Sequence, residues 1–328
     1  MGTATKLPGR RRPPGAAGRR AWQRGGPGRA WRKRFDNRIL PWLMLAPAFA
    51  LIFGLVGYPI VRTLWLSFRN AGLASLGGGG SDFVGLDNYT LLLTDPLYRQ
   101  VFVTTAVFGL LCVAATMLLG VGAGFLLNQP LRGRRLLMLL ILLPWAMPRV
   151  AGATVWQWIF HDQYGIVNWL LTTVGFASFE GHAWFISRVP AFFAIGTVVV
   201  WGSFPFVAIS MLAGLQSVPE DLLEAARIDG ASTWQRLRYV TLPLLKPLLL
   251  VLTVISTIWD FKVFDQVYVM TAGGPARSTE VLAITTWREA FTRYNFGLAG
   301  ALAMALFVIL TAVTIVYIRM VREDEGMA

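Results

Sequence analysis

Six apolar runs, each about 20 residues or longer and nearly free of charge, limit what this chain of 328 residues can fold into. A helix needs roughly 20 apolar residues to cross the ~30 Å hydrocarbon core of a bilayer. Periodicity and run length therefore predict an all-α polytopic membrane protein with six transmembrane helices. The spans are expected near 40–68, 101–127, 136–160, 189–215, 247–269 and 297–319. Charged residues make up only 14% of the chain, against roughly 25% in soluble domains.

The charge that exists is unevenly placed. Residues 1–38 hold 12 Lys and Arg against one acid, Asp36, and so carry +11 of the net +13. Rich in Gly and Pro ("GRRRPPGAAGRR") and poor in aliphatic residues, this tail cannot bury enough apolar area to order itself. It is expected to be a disordered basic cytoplasmic segment. Such a tail could bind RNA or anionic lipid, but a topology signal is the preferred reading, with membrane lipid as the surrounding and no nucleic acid partner. Arg132, Arg134 and Arg135, the 216–246 segment and the C-terminal "RMVRE" fall on the same side as the tail, while Asp82, Asp87, Asp95, Arg99, Asp162 and Glu180 lie opposite. Excess Lys and Arg mark the cytoplasmic side, which makes both termini cytoplasmic. The resulting plan is a transmembrane domain over 39–322, a cytoplasmic loop at 216–246, and a short cytoplasmic end at 323–328. The run from 40 is too long for the h-region of a signal peptide. With one cysteine, Cys112, no disulfide framework is available.

Two polar interruptions break the apolar plan. The first is "EAARIDGASTWQRLRYVTLPLLKP", residues 224–247. Pro219 suits a first helical turn, and Glu220 with Asp221 favour its positive dipole end. Glu224 is positioned to pair with Arg227 three residues on. Ala225 and Ala226 allow close approach of another backbone, Gly230 suits a left-handed helix terminator, and Ser232 with Gln235 forms a capping box. Pro243 and Pro247 are expected to stop the second short helix and begin the next span. The segment thus predicts a helix–turn–helix knuckle whose Leu222, Leu223, Ile228 and Trp234 need a cover, either the chain's own bundle or a partner.

The second interruption is "STIWDFKVF" in the fifth span, with Asp260 and Lys262 at membrane depth, to which the third span adds Arg149. A charge at the bilayer centre costs about 2.5–3.5 kcal/mol on insertion scales, so it normally faces a cavity or a partner. Arg149, Asp260 and Lys262 are expected to line an inner cavity, with Arg149 or Lys262 neutralising Asp260. The alternative is a structural ion pair locking the third span to the fifth.

Several chemistries lack their residues. There is no G-x-x-x-x-G-K-[ST] and no H-E-x-x-H, and the two histidines, His161 and His182, have no metal-ligand spacing. "GVGAG" at 120–124 lies inside a span, where small residues serve helix packing. No cofactor and no catalytic residue are expected. An ion-coupled secondary transporter would also use intramembrane Asp and Lys. Dependence of uptake on internal ATP or on an ion gradient separates the two.

"EAARIDGA" followed by "VTLP" resembles the EAA loop of permease subunits in binding-protein-dependent ABC importers. "FVGLDNYTLLLTDP", "LLPWAMPRVAGATVWQWIF", "YVMTAGGP" and "STEVLAITTWREAF" resemble the carbohydrate branch, in the half called the MalF or UgpA type. That resemblance implies a type I ABC importer permease fold in a bacterial cytoplasmic membrane. It further implies a MalG-type second permease subunit, two ATPase subunits at the cytoplasmic face and an extracytoplasmic solute-binding protein. Glu224, Ala225, Ala226, Asp229 and Gly230 would form the helix that docks on the ATPase. Aligned with the sugar contacts of the maltose permease, the substrate positions fall on Trp145, Arg149, Ser203, Ser256 and Asp260, with Lys262 beside them. Charged Arg149, Asp260 and Lys262 depart from that pattern and argue against maltose itself. Another di- or oligosaccharide comes first, and an anionic glycerophosphodiester second, because two cations outnumber one acid.

Overall fold

The computed structural model describes residues 40–77 and 79–325. The tail assigned to 1–38, Gly78 of the "GGGG" stretch and residues 326–328 of the C-terminal end lie outside them. Two compact units divide between Val61 and Arg62. Helix α1 (Leu40–Ile52), in the first, passes through a π-helical turn, Phe53–Gly57, into α2 (Tyr58–Ser67), within which the division falls. Every described side chain of α1 is exposed. The whole run Pro41–Ser67 is long and apolar enough to cross a membrane.

The second unit carries the remaining expected spans. A two-residue ribbon pairs β1 (Arg69–Asn70) with β2 (Asp82–Phe83) antiparallel, and α3 (Asp87–Thr94) follows. Helix α4 (Pro96–Leu127) starts five residues before the expected 101. Its start signal is local: Asp95 Oδ1 accepts from the Leu97 N–H at 2.7 Å, and Pro96 occupies the first turn, where a missing donor costs nothing. Helix α8 (Arg188–Ser217) packs along α4, and α14 (Phe296–Glu325) is the last long helix.

The third span is not the continuous helix expected over 136–160. It divides into α5 (Arg134–Ala146) and α6 (Arg149–Ile159), bent by 103°. Pro148 forces the break, because its ring disfavours the helical region for the residue before it. Met147 is accordingly extended, at φ −78° and ψ 136°. A short α7 (Ile166–Thr173) then lies in the loop before α8.

The knuckle consists of α9 (Glu220–Ile228) and α10 (Thr233–Arg236). Pro243 and Pro247 do not separate it from the next span, as the sequence had suggested. A π-helical turn, Leu237–Thr241, leads directly into α11 (Leu242–Phe261). Pro243 falls in the first turn of α11, where its lost N–H is tolerated, and Pro247 removes one bond to the turn before it.

Beyond α11, α12 (Asp265–Thr271) and α13 (Leu282–Trp287) belong to the segment before α14. Two buried acids anchor it. Glu280 is held by Arg277 and, at 3.4 Å, by Arg288. Glu289 accepts from Arg293 at 2.8 Å and from the Tyr98 hydroxyl of α4 at 3.1 Å. The hydrogen bond to Glu280 raises the Arg277 pKa above its ordinary value, so its charge is permanent. The Leu282 N–H also donates to Thr105 Oγ1 of α4 at 2.8 Å.

The close approach of α4 to α8 rests on the small residues of "GVGAG". A Cβ on Gly120 would meet Val207 at 2.5 Å, and one on Gly124 would meet Met211 at 2.7 Å. Gly122 faces away, with nothing within 4 Å. Around this seam a core forms from Phe108, Cys112, Ile195, Val198 and Val199, joined by Ala153 of α6 and Val267 of α12. Gly120→Val is expected to force the helices apart at a cost of about 1–3 kcal/mol or more, the usual range for overpacking. Thermal unfolding of the detergent-purified chain should show a lower Tm for Gly120→Val and Gly124→Val. Gly122→Ala should leave it unchanged or raise it.

Candidate functional site

The proline break and the buried carboxylate come together. Helix α6 begins at Arg149 because the chain turns at Pro148, so a guanidinium is placed at the bend inside the span. Asp260 is the penultimate residue of α11 and is 2% exposed. Two hydroxyls reach it, from two different helices. Thr116 Oγ1 of α4 donates to Asp260 Oδ2 at 3.5 Å, and Ser203 Oγ of α8 to Oδ1 at 3.4 Å. Both bonds are long, near the limit at which hydrogen bonding still counts.

A cavity of about 120 Å³ opens beside this carboxylate. Of the six residues predicted to bind substrate, Trp145, Arg149, Ser203 and Asp260 line it. No ion pair within 4.0 Å joins Arg149 to Asp260 among the described residues, so the expected neutralising contact is absent. The cavity holds one cation and one anion that face the same space without closing on each other.

Ser256 and Lys262 lie outside the lining. Lys262 is the first residue past α11, at φ −99° and ψ 19°, and its side chain is exposed. Ser256 shares the face of Asp260 but lies one turn, roughly 6 Å, further along the axis, and is fully buried. The balance of two cations to one acid therefore does not hold within the cavity.

Among the lining residues that were not foreseen, three carry aromatic or polar groups. Trp201 and Trp259 add aromatic faces, and Gln266 adds an amide. Trp201 packs edge-on against Trp156 at 5.5 Å, while Phe206 lies between Trp145 at 6.4 Å and Trp259 at 5.1 Å. Trp201 lies two residues before Ser203 in "WGSFP" and Trp259 directly before Asp260 in "STIWDFKVF", so both neighbour polar positions already singled out. Gln266 follows the break between α11 and α12, where no helical periodicity could have assigned it a face. The set offers stacking surfaces, two charges and neutral hydrogen-bonding groups, a combination suited to a polyhydroxylated ligand.

A second candidate site is the knuckle. Gly230 adopts the left-handed conformation, φ +81°, directly after Asp229 at the end of α9. Ser232 and Gln235 exchange both bonds of a capping box, at 3.3 and 2.7 Å. Glu224, Ala225, Asp229 and Gly230 are exposed and Ala226 is half-buried. Glu224 and Arg227 extend separately, without the predicted ion pair. Ile228 and Trp234 remain 87% and 64% exposed, so the knuckle's apolar residues are not covered by the described bundle.

A family model described as binding-protein-dependent transport system inner membrane component matches residues 116–322. The diacetylchitobiose uptake system permease protein DasB of Streptomyces coelicolor is 38% identical, covering 88% of each chain. The sulfoquinovosyl glycerol transport system permease protein SmoG of Agrobacterium fabrum is 37% identical over 90% of this chain and 95% of its own. In fold, the chain matches a bacterial ABC transporter involved in the import of the acidic polysaccharide alginate, with a TM-score of 0.76 at 19% identity. That match covers 90% of this chain and 99% of the other.

Because Pro148 alone prevents Met147 from being helical, its removal tests the site's construction. Pro148→Ala is expected to straighten the third span and draw Arg149 away from Asp260. A displacement of about 1 Å can cost on the order of 100-fold in a positioned site. Transport by the assembled system should fall at least tenfold, while the amount of chain in the membrane stays normal by immunoblot.

Proposed function

The chain belongs to the family of inner membrane components of binding-protein-dependent transport systems, and on that premise we propose that it forms half of the pore of an ATP-driven importer for a di- or oligosaccharide. The observation that carries this reading is the cavity at the proline break, where Asp260, Arg149 and Ser203 meet the faces of Trp145, Trp201 and Trp259. Indole faces stack on sugar rings, and a carboxylate accepts paired hydroxyl donors. Relatives named for diacetylchitobiose and for sulfoquinovosyl glycerol support a saccharide. With only Arg149 sharing the cavity, the charge argument for a glycerophosphodiester loses its basis.

Size supports a second subunit. At about 120 Å³ the cavity is smaller than the ~300 Å³ at which ligand pockets begin. A disaccharide needs the space completed, and a MalG-type permease subunit facing this one would complete it. An extracytoplasmic solute-binding protein would deliver the sugar on the face opposite the knuckle. The knuckle would then lie in the cytoplasm with both termini, where Glu224, Ala225, Ala226, Asp229 and Gly230 dock on one of two ATPase subunits. ATP hydrolysis belongs to those subunits, and no cofactor is assigned to this chain. Exposed Ile228 and Trp234 have the character of interface anchors.

Two experiments test the proposal. Asp260→Ala should abolish ATP-dependent sugar uptake into vesicles while leaving assembly, and the solute-binding protein's affinity, unchanged. If Asp260→Ala instead fails to assemble, and a second replacement at Arg149 restores assembly, the two residues are structural and the binding assignment fails. A panel of ligands on the purified solute-binding protein separates sugars from phosphodiesters.

For the knuckle, Ala225→Trp should block docking, and Gly230→Asp should strain the left-handed terminator by about 1 kcal/mol or more. Both variants should insert normally yet lose transport and co-purify poorly with the ATPase. Normal uptake in either one overturns the coupling role.

A further inference from the structure

Between α4 and α8 lies a second, larger concavity of about 720 Å³, which shares Trp201 with the cavity beside Asp260. Its walls are almost wholly apolar: Val107, Leu111 and Leu119 on α4 face Phe192 and Phe193 on α8. Most of these side chains are exposed in the described chain, with Leu111 and Phe193 among the most exposed. The lining runs from residue 104 to 119 on α4 and from 188 to 204 on α8. At 1.5 Å per residue each wall is about 22–24 Å long, more than the ~15 Å depth of one leaflet of the hydrocarbon core.

One end of the groove is charged. Arg188, the first residue of α8, belongs to the lining, and its guanidinium donates to the neutral Thr104 Oγ1 at 2.9 Å. It forms no ion pair with an acid among the described residues, and its other contact is the Phe192 ring at 6.0 Å. Ser187 does not cap the helix with its side chain. Helix α8 is 30 residues long, or about 45 Å, and its far end leads into the knuckle. Arg188 therefore lies at the membrane face opposite the knuckle.

We propose that this groove is a binding site for an anionic glycerophospholipid, with the phosphate on Arg188 and one acyl chain laid along Val107, Leu111 and Phe193. A guanidinium matches the two oxygens of a phosphate better than a single hydroxyl does. The membrane interface is where a long cationic side chain meets lipid headgroups while its stem covers apolar surface. The groove's length and apolar lining match an acyl chain entering from that interface. A lipid held here would brace the outer ends of α4 and α8, the two helices whose hydroxyls reach Asp260.

The test uses the full chain, purified from membranes and exchanged into mixed micelles containing either phosphatidylglycerol or phosphatidylcholine. Native mass spectrometry should show one phosphatidylglycerol retained on the wild type. Arg188→Gln should reduce retention by about five- to tenfold, consistent with the loss of a charge-assisted contact, and Arg188→Lys should reduce it less. Gly196→Leu fills the groove without touching the charge. A Cβ there meets Phe108 at 3.5 Å and Cys112 Sγ at 3.8 Å, so it should also lose the lipid. Equal retention in Arg188→Gln and wild type, or no preference for phosphatidylglycerol over phosphatidylcholine, overturns the site. In the transporter purified with its partner subunits, a photocrosslinker at Leu111 should label lipid. A crosslink to a protein chain would assign the groove to a subunit interface and overturn the proposal as well.

Discussion

The distance between α4 and α8 controls the rest of this structure. Gly120 and Gly124 let Val207 and Met211 approach to separations at which a Cβ could not fit. One helical turn along the same seam, Thr116 precedes Gly120 by four residues and Ser203 precedes Val207 by four. Residues four apart share a helix face, so the pair that meets backbone to side chain at the glycines meets as two hydroxyls one turn away. Those hydroxyls converge on Asp260 from opposite helices. The seat of a carboxylate on α11 thus depends on helix packing at two glycines.

The bend at Pro148 acts on this seam from a different direction. A straight third span would carry Arg149 past the carboxylate as one more helical side chain. The extended conformation of Met147 instead starts a new helix there, and the guanidinium faces the cavity at its first turn. Charge inside a membrane is tolerated where backbone departs from regular helix and lines a cavity. The same break supplies Met147 and Pro148 to the cavity wall. Asp260 and Arg149 remain apart, each available to something that enters.

At the end opposite the knuckle, Glu280 and Glu289 hold a segment with little regular structure. Burial of a carboxylate is costly unless it is paired and hydrogen-bonded. Arg277, Arg288, Arg293 and Tyr98 meet that need, and Tyr98 ties the segment to the first turn of α4. The knuckle at the other end is built on the opposite principle. Its short helices are fastened by local caps alone, and its apolar residues stay uncovered. One end of the molecule is cross-linked into the bundle, and the other is preformed and open to a partner.

Much of this was legible in residue order. Apolar runs located the spans, because crossing a bilayer demands length and apolarity that few other constraints produce. The capping box of Ser232 and Gln235 and the left-handed Gly230 were predictable because each depends on neighbours within a few residues. The start of α4 at Pro96 was equally local, in an Asp-Pro signal that hydropathy passed over. Membership of the cavity was a different matter. Lys262 and Asp260 stand two positions apart, yet only Asp260 lines the cavity, whereas Thr116, unremarkable in an apolar run, reaches the carboxylate 144 positions away. Trp201, Trp259 and Gln266 joined the site only when three helices and a proline break were assembled around one space. Local hydrogen bonding and bilayer thickness are properties of short stretches, so the sequence by itself determined the spans, the caps and the knuckle. Which faces converge depends on helix rotation, on a 103° bend and on the spacing that two glycines permit, and these only the tertiary structure decided.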